Sequence, residues 1–182
     1  MQSDLPQVNV SLEALIEEFF RQSEGNWQSQ RRYYTLKSGE VEEVTSAISV
    51  IFLPQGHPKL VELAQLHELG NDEAFICGAY TTWESSYSRS FHKQLTGSTV
   101  FGVLGNLLYR DRGFATSKPV TAEYFLQDTK TMHLKTEYGG SVFEEEIKLI
   151  GSQYRTRQTI ISRAGEEIMI GQYLEQRVNR DS

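Results

Sequence analysis

The chain has 182 residues, a net charge of −6, 38% hydrophobic residues and one cysteine. That length suits a single domain spanning 1–182 with its own core, and nine Tyr and nine Phe argue against disorder. The acidic balance opposes non-specific nucleic-acid binding, a lone Cys allows no internal disulfide or paired-cysteine zinc site, and no apolar run nears the ~18 residues of a membrane span.

Residues 1–10 read as a disordered lead-in, and Met1–Asn9 lacks the basic segment and apolar run of a secretory signal. The expectation is a protein that is not secreted, in a reducing compartment. The first helix is expected over Ser11–Ser23, where Leu12, Leu15, Ile16, Phe19 and Phe20 recur at helical spacing. Ser11 suits the start and Gly25 the stop. A second helix opens at His57-Pro58 and runs to Gly70, with Leu60, Leu63, Ala64 and Leu66 to Leu69 as its apolar residues.

Everything else reads as about ten short strands: Trp27–Leu36, Glu43–Leu53, Phe75–Tyr87, Ser98–Leu104, Leu107–Arg110, Val120–Leu126, Thr131–Tyr138, Val142–Leu149, Gln153–Ser162 and Glu167–Val178. The connectors are too short for parallel crossovers, so from Ser98 onward the chain is an antiparallel meander. Ten such strands split into two sheets or close, and closure removes exposed edges. The first helix can then cover one mouth.

Polar residues on a face that should be apolar mark the interest. In Val142–Leu149 one face holds Phe143, Glu145, Ile147 and Leu149, so the pleat period points Glu145 inward unless it sits at a barrel end. A turn near Ile150–Gly151 places Glu145 across from Arg155 or Arg157, and a turn at Gly165 places Arg155 across from Glu175. Thr159 shares that face and joins the candidate ligand contacts. Two accounts stay open: a row of surface ion pairs, or a polar patch in a pocket where two guanidinium forks grip ligand carboxylates.

Trp83 ends the run Phe75-Cys77-Ala79-Thr81-Trp83, which would share one face; it is core packing or a flat wall for a conjugated ligand. Cys77 has no evident base or cation to activate it and reads as inert. Trp27, Ser29 and Arg31 alternate on the first strand as a further polar wall, although Arg31 beside Arg32 equally fits one exposed charge. His57, His67, His92 and His133 lack metal-ligand spacing, so no metal site is expected. No phosphate loop or nucleophile elbow is present in the sequence.

At these residues the chain resembles the S/U-type phycobiliprotein lyases, the chromophore lyases of the CpcS/CpeS kind. Phe19-Phe20-Arg21-Gln22-Ser23-Glu24-Gly25-Asn26-Trp27-Gln28-Ser29-Gln30-Arg31 is similar to the family's opening, and Gly97-Ser98-Thr99-Val100-Phe101 matches a second block. Arg110 to Tyr124 carries a third, through Gly113-Phe114, Pro119-Val120 and Tyr124. Glu145 followed by Tyr154-Arg155-Thr156-Arg157 is a fourth, and Leu174-Glu175-Gln176-Arg177 a fifth. Two departures stand out: Ser85 replaces a usual Gly, and Arg89 replaces an aromatic.

The resemblance implies a lipocalin-like or fatty-acid-binding-protein-like barrel of ten antiparallel strands. It implies a lyase that joins an open-chain bilin (phycocyanobilin or phycoerythrobilin) by a thioether to a cysteine of an apo-phycobiliprotein, expected to be a β subunit. Arg155 and Arg157 would take the two propionates, and Glu145 and then Glu175 would hydrogen-bond the pyrrole nitrogens and keep the pigment protonated. Trp83 would pack on a pyrrole ring, with Arg31 and Trp27 contributing. No permanently bound cofactor is implied. The resemblance also implies a homodimer or a related lyase subunit as partner, in the cytoplasm or a plastid stroma. The rival is a barrel that carries a fatty acid or other carboxylated amphiphile without chemistry, and a third reading is one subunit of a two-component lyase.

Overall fold

A computed structural model describes residues 11–88 and 94–179. Ten strands and two helices run in the order α1 (Leu12–Ser23), β1 (Gly25–Thr35), β2 (Val41–Pro54), α2 (Pro58–Leu66), β3 (Cys77–Tyr87), β4 (Gln94–Leu104), β5 (Leu107–Arg110), β6 (Val120–Leu126), β7 (Thr131–Tyr138), β8 (Ser141–Ile150), β9 (Tyr154–Arg163) and β10 (Glu166–Val178). Each strand pairs antiparallel with its sequence neighbour, and β10 returns to β1, closing the barrel. The expected fold class is thus observed, because tight turns leave each strand only its predecessor to pair with. Residues 1–10, and Arg89, lie outside the described residues.

Helix α1 lies across one end. Ser11 Oγ accepts from Ala14 N–H at 3.2 Å, and Ile16, Phe19 and Phe20 are buried. These side chains join a core with Ile48, Cys77, Leu108, Tyr124 and Met132, drawn from strands all round the barrel. The carbonyls at the helix's C-terminal end, which lack intrahelical donors, are met by side chains. Arg177 donates to the Gln22 carbonyl (2.8 Å) and to that of Glu24, while Trp27 Nε1 donates to Ser23 (3.0 Å). Gly25 is needed there: its φ is +135°, and a Cβ would collide with the Arg177 guanidinium.

Helix α2 packs on the outer wall. Gly78 and Gly102 stand opposite each other on β3 and β4, and the missing side chains let the helix approach. A Cβ on Gly78 would meet Leu60 Cδ2 at 2.7 Å, and one on Gly102 would meet Phe75 Cγ at 2.7 Å and Leu63 Cδ2 at 2.9 Å. Phe75 therefore packs outside with α2, not on the inner face with Cys77 as the sequence reading had it; β3 begins only at Cys77. The helix also stops at Leu66 and not at Gly70, because Glu68 (φ +55°) and Gly70 (φ +71°) turn the chain into the left-handed region.

Candidate functional site

A cavity of about 540 Å³ fills the barrel above α1, within the ~300–1,000 Å³ usual for small-molecule sites. Phe19 and Phe20 form its floor, and Glu40, Arg112 and Phe114 flank the far end. Among the described residues no helix crosses that far end. Trp83 and Phe101 give one wall, Met132, Leu134 and Ile147 another, and Arg31, Arg155 and Arg157 a third.

The third wall is built in rows across β1, β10, β9 and β8. The deepest row is Ser29, Glu175, Arg155 and Leu149; the next is Arg31, Tyr173, Arg157 and Ile147; the third is Tyr33, Gly171, Thr159 and Glu145. All are inward residues of odd number, so one pleat period places them together. Parity on β10 depends on an irregularity. The register slips between Glu167 and Met169, leaving Ile168 as a bulge. Without that extra residue Arg155 would face Leu174, and Tyr173 and Glu175 would turn to solvent.

Arg155 and Glu175 face each other directly, as expected, and Arg155 Nε donates to Glu175. Glu145 does not. It stands across from Thr159, and Arg157 reaches it diagonally, Nη2 donating to Oε2 at 2.7 Å. The reason is the turn, which takes Gly151, Ser152 and Gln153 and centres on Ser152 rather than on Ile150–Gly151. Both pairs are sequestered: the side chains of Glu175 and Glu145 are 1% and 3% exposed. They are therefore not surface ion pairs.

Burial opposes ionisation of Glu175, but the guanidinium of Arg155, then that of Arg157, outweighs it and holds the carboxyl below its ordinary value. Arg157 shows the mirror image: burial disfavours its charge, while the carboxylates of Glu145 and Glu175 restore it. Tyr173 lies between the guanidinium groups of Arg31 (5.3 Å) and Arg157 (5.5 Å), and its hydroxyl donates to Tyr33 at 3.2 Å. Burial raises its own pKa, so it remains a neutral phenol.

The sequence-derived candidates divide by position. Arg31, Trp83, Arg155 and Arg157 line the cavity. Glu145 and Glu175 stand behind the arginines they hold and are not part of the lining. Trp27 and Thr159, expected as ligand contacts, do not line it either. Trp27 is buried beneath Arg155, its ring between the guanidinium groups of Arg155 (4.7 Å) and Arg177 (4.3 Å), where it locks α1 to the barrel. Thr159 is covered within the third row, 1% exposed.

Trp83 owes its place to Gly97, directly opposite on β4: a Cβ there would come within 2.6 Å of Trp83 Cε2. Ser85, which replaces a glycine of the family pattern, is buried and shares a 2.6 Å hydrogen bond with Ser46. Cys77 is 1% exposed, and burial pushes its thiol up to about 12. Arg110 and Tyr173 escaped the sequence reading. The signal was there in part, since Arg110 shares the parity of buried Leu108. Among the described residues no group of three or more His, Cys, Asp or Glu is arranged to hold a metal, and no helix is long and apolar enough to cross a membrane.

Residues 15–178 match the profile of the family described as CpeS-like protein. A protein of Nostoc sp., provisionally named phycocyanobilin lyase CpcS 2, is 60% identical over 166 residues, covering 91% of this chain and 92% of its own. The phycocyanobilin lyase subunit CpcS of Picosynechococcus sp. is 31% identical over 157 residues, covering 81% of this chain and 78% of its own. The structure of the S-type phycobiliprotein lyase CpeS from Guillardia theta superposes with a TM-score of 0.74 at 24% identity, over 92% of this chain and 93% of that one.

Proposed function

This chain belongs to the CpeS-like protein family, and we propose that its barrel holds an open-chain bilin while a cysteine of an apo-phycobiliprotein adds to it. It is a chromophore lyase, the activity its relatives are named for. The observation that carries the reading at this site is a cavity with an aromatic wall on one side and fixed guanidinium groups on the other. Such a cavity matches a flat conjugated ligand that bears carboxylates.

The reaction is an addition. The acceptor sulfur bonds to the exocyclic ethylidene carbon, and the thiol proton ends on the pigment, so nothing is oxidised or reduced. The chain's part is to fix one conformer of a flexible molecule and leave its reactive group accessible; orientation of this kind lowers barriers by several kcal/mol. Trp83 and Phe101 pack against pyrrole rings. Arg155 and Arg157 face the pigment from rigid strands, with Glu175 and Glu145 behind them setting their rotamers and charge. The carboxylates thus act first as positioning residues. Direct hydrogen bonding to pyrrole nitrogens requires a pair to open. Arg31 extends the same wall. The acceptor is a phycobiliprotein β subunit, the pigment phycocyanobilin or phycoerythrobilin, and the place of action the cytoplasm or a plastid stroma.

Co-production of this chain with a bilin-forming pathway and an apo-phycobiliprotein β subunit tests the proposal. Covalent colour on the acceptor in a denaturing gel is the expected result. Binding of fatty acids with no pigment transfer would favour a carrier, and transfer only with a second lyase subunit present would make the chain half of a two-component enzyme.

A further inference from the structure

Below its rim the cavity is lined by four arginines, Arg31, Arg110, Arg155 and Arg157, and three of them have a partner. Arg155 is held by Glu175 and Arg157 by Glu145, while Arg31 directs Nε to Ser29 Oγ at 3.4 Å, within the field of Glu175. Arg110 differs. Among the described residues its side chain makes no ion pair or hydrogen bond; its buried Nε has no acceptor, as is also true of Arg157 Nε, but Arg157 keeps a bond to Glu145 through Nη2. The Phe101 ring lies 4.9 Å from its guanidinium carbon. The neighbouring Asp111 lends it negative charge without bonding to it, since that carboxylate accepts the Thr99 hydroxyl (2.8 Å) and the Val100 N–H (3.0 Å) instead. The other nearby charges are Glu145, already committed to Arg157, and Arg157 itself. Burial accordingly weakens the hold of Arg110 on its proton.

The backbone beneath it is firm. Arg110 pairs with Phe101 on β4 and Val120 on β6, and its carbonyl lies 2.8 Å from His67 Nε2. Strand β5 stands five places from β10 in the closed order, and the charges of the arginine wall that reach Arg110 are those of Glu145 and Arg157. Among the described residues no carboxylate bonds to the Arg110 guanidinium, whereas Arg155 and Arg157 each hold one. A desolvated cation with no partner is costly, and a ligand anion removes that cost.

We propose that Arg110 is a carboxylate-binding subsite that receives one propionate of the pigment. This rests on the bilin reading above. Arg155 and Arg157 are already neutralised by their own carboxylates and contribute position and field, while Arg110 supplies a guanidinium with no bonded partner.

The test compares free phycocyanobilin with its dimethyl ester, titrated by absorbance into the full chain. Wild type should bind the acid about tenfold to a hundredfold more tightly than the ester, the range of one charge-assisted hydrogen-bonded contact. Arg110→Met should bring that ratio to within about threefold by weakening acid binding alone, and Arg32→Met, an outer-face change of equal net charge, should leave it intact. Should Arg110→Met fail to fold by circular dichroism, Arg110→Gln, neutral but polar, is read on the same ratio. An unchanged ratio in the variant, or equal loss of acid and ester, overturns the subsite while the bilin reading stands. Failure of wild type to bind either form overturns the bilin reading itself.

Discussion

The Arg155–Glu175 pair allows a quantitative test of how the polar wall is held. Its side chains are 10% and 1% exposed, against 62% and 58% for the outer-face pair Arg32–Glu43. An exposed pair is worth about 0–1 kcal/mol, because water already solvates both charges. Removing one member of a buried pair leaves the other desolvated and unpaired, at about 3–5 kcal/mol. Arg155→Met and Glu175→Leu should each therefore lower unfolding free energy by that amount, measured by urea denaturation followed by circular dichroism. Met retains much of the packing of Arg155 over Trp27, so the loss is chiefly electrostatic. The double variant should return to within about 2 kcal/mol of wild type, since no orphan charge remains. It should nonetheless lose pigment transfer, because the cation facing the cavity is gone. Arg32→Met and Glu43→Leu, run in parallel, should each cost under about 1 kcal/mol. Single variants at 155 and 175 that behaved like the surface pair would refute the claim that this charge pair is sequestered.

Three further outcomes follow from the same geometry. Glu175 has a folded pKa below the ordinary 4.5, so its contribution to stability is present above that value and lost as pH falls through the folded one. Unfolding free energy should rise with pH across that acid window in wild type and less steeply in Glu175→Gln; identical slopes would remove this carboxylate from the account. Gly97→Ala should displace the Trp83 ring, costing about 1–3 kcal/mol and shifting the bound pigment's absorption band; a band identical to wild type would show that the ring does not touch the pigment. Cys77, buried with its thiol raised to about 12, should resist iodoacetamide in the folded protein, and Cys77→Ala should keep transfer activity; loss of transfer in a folded variant would mean the thiol has a chemical role.

Much of this architecture was legible because the local signals agree. Strands β5, β6 and β7 begin and end where the turn residues place them, and the inward Glu145 showed as one carboxylate among Phe143, Ile147 and Leu149. The pairing of Arg155 with Glu175 followed from a turn at Gly165, but for a reason the sequence hides. Only the bulge at Ile168 gives β10 the parity that makes the pairing true, and Ile168 looks like any other strand residue. Glu145 was displaced to Thr159 because the turn centres on Ser152, later in the chain than the Ile150–Gly151 centre read from the sequence. Arg110 was missed because four residues are too few for alternation to declare a face. Trp27 was misplaced for a different reason: inward parity says which side of the sheet a residue occupies, and nothing about its depth along the barrel axis.

Helix α1, pinned by Arg177 and Trp27, makes the barrel a vessel with a solid base. Under the lyase reading, cargo then moves last in, first out: the ring that enters last waits nearest the threshold and meets the acceptor first. Filling and unloading share one doorway and have to take turns, so a surplus of empty acceptor should slow filling.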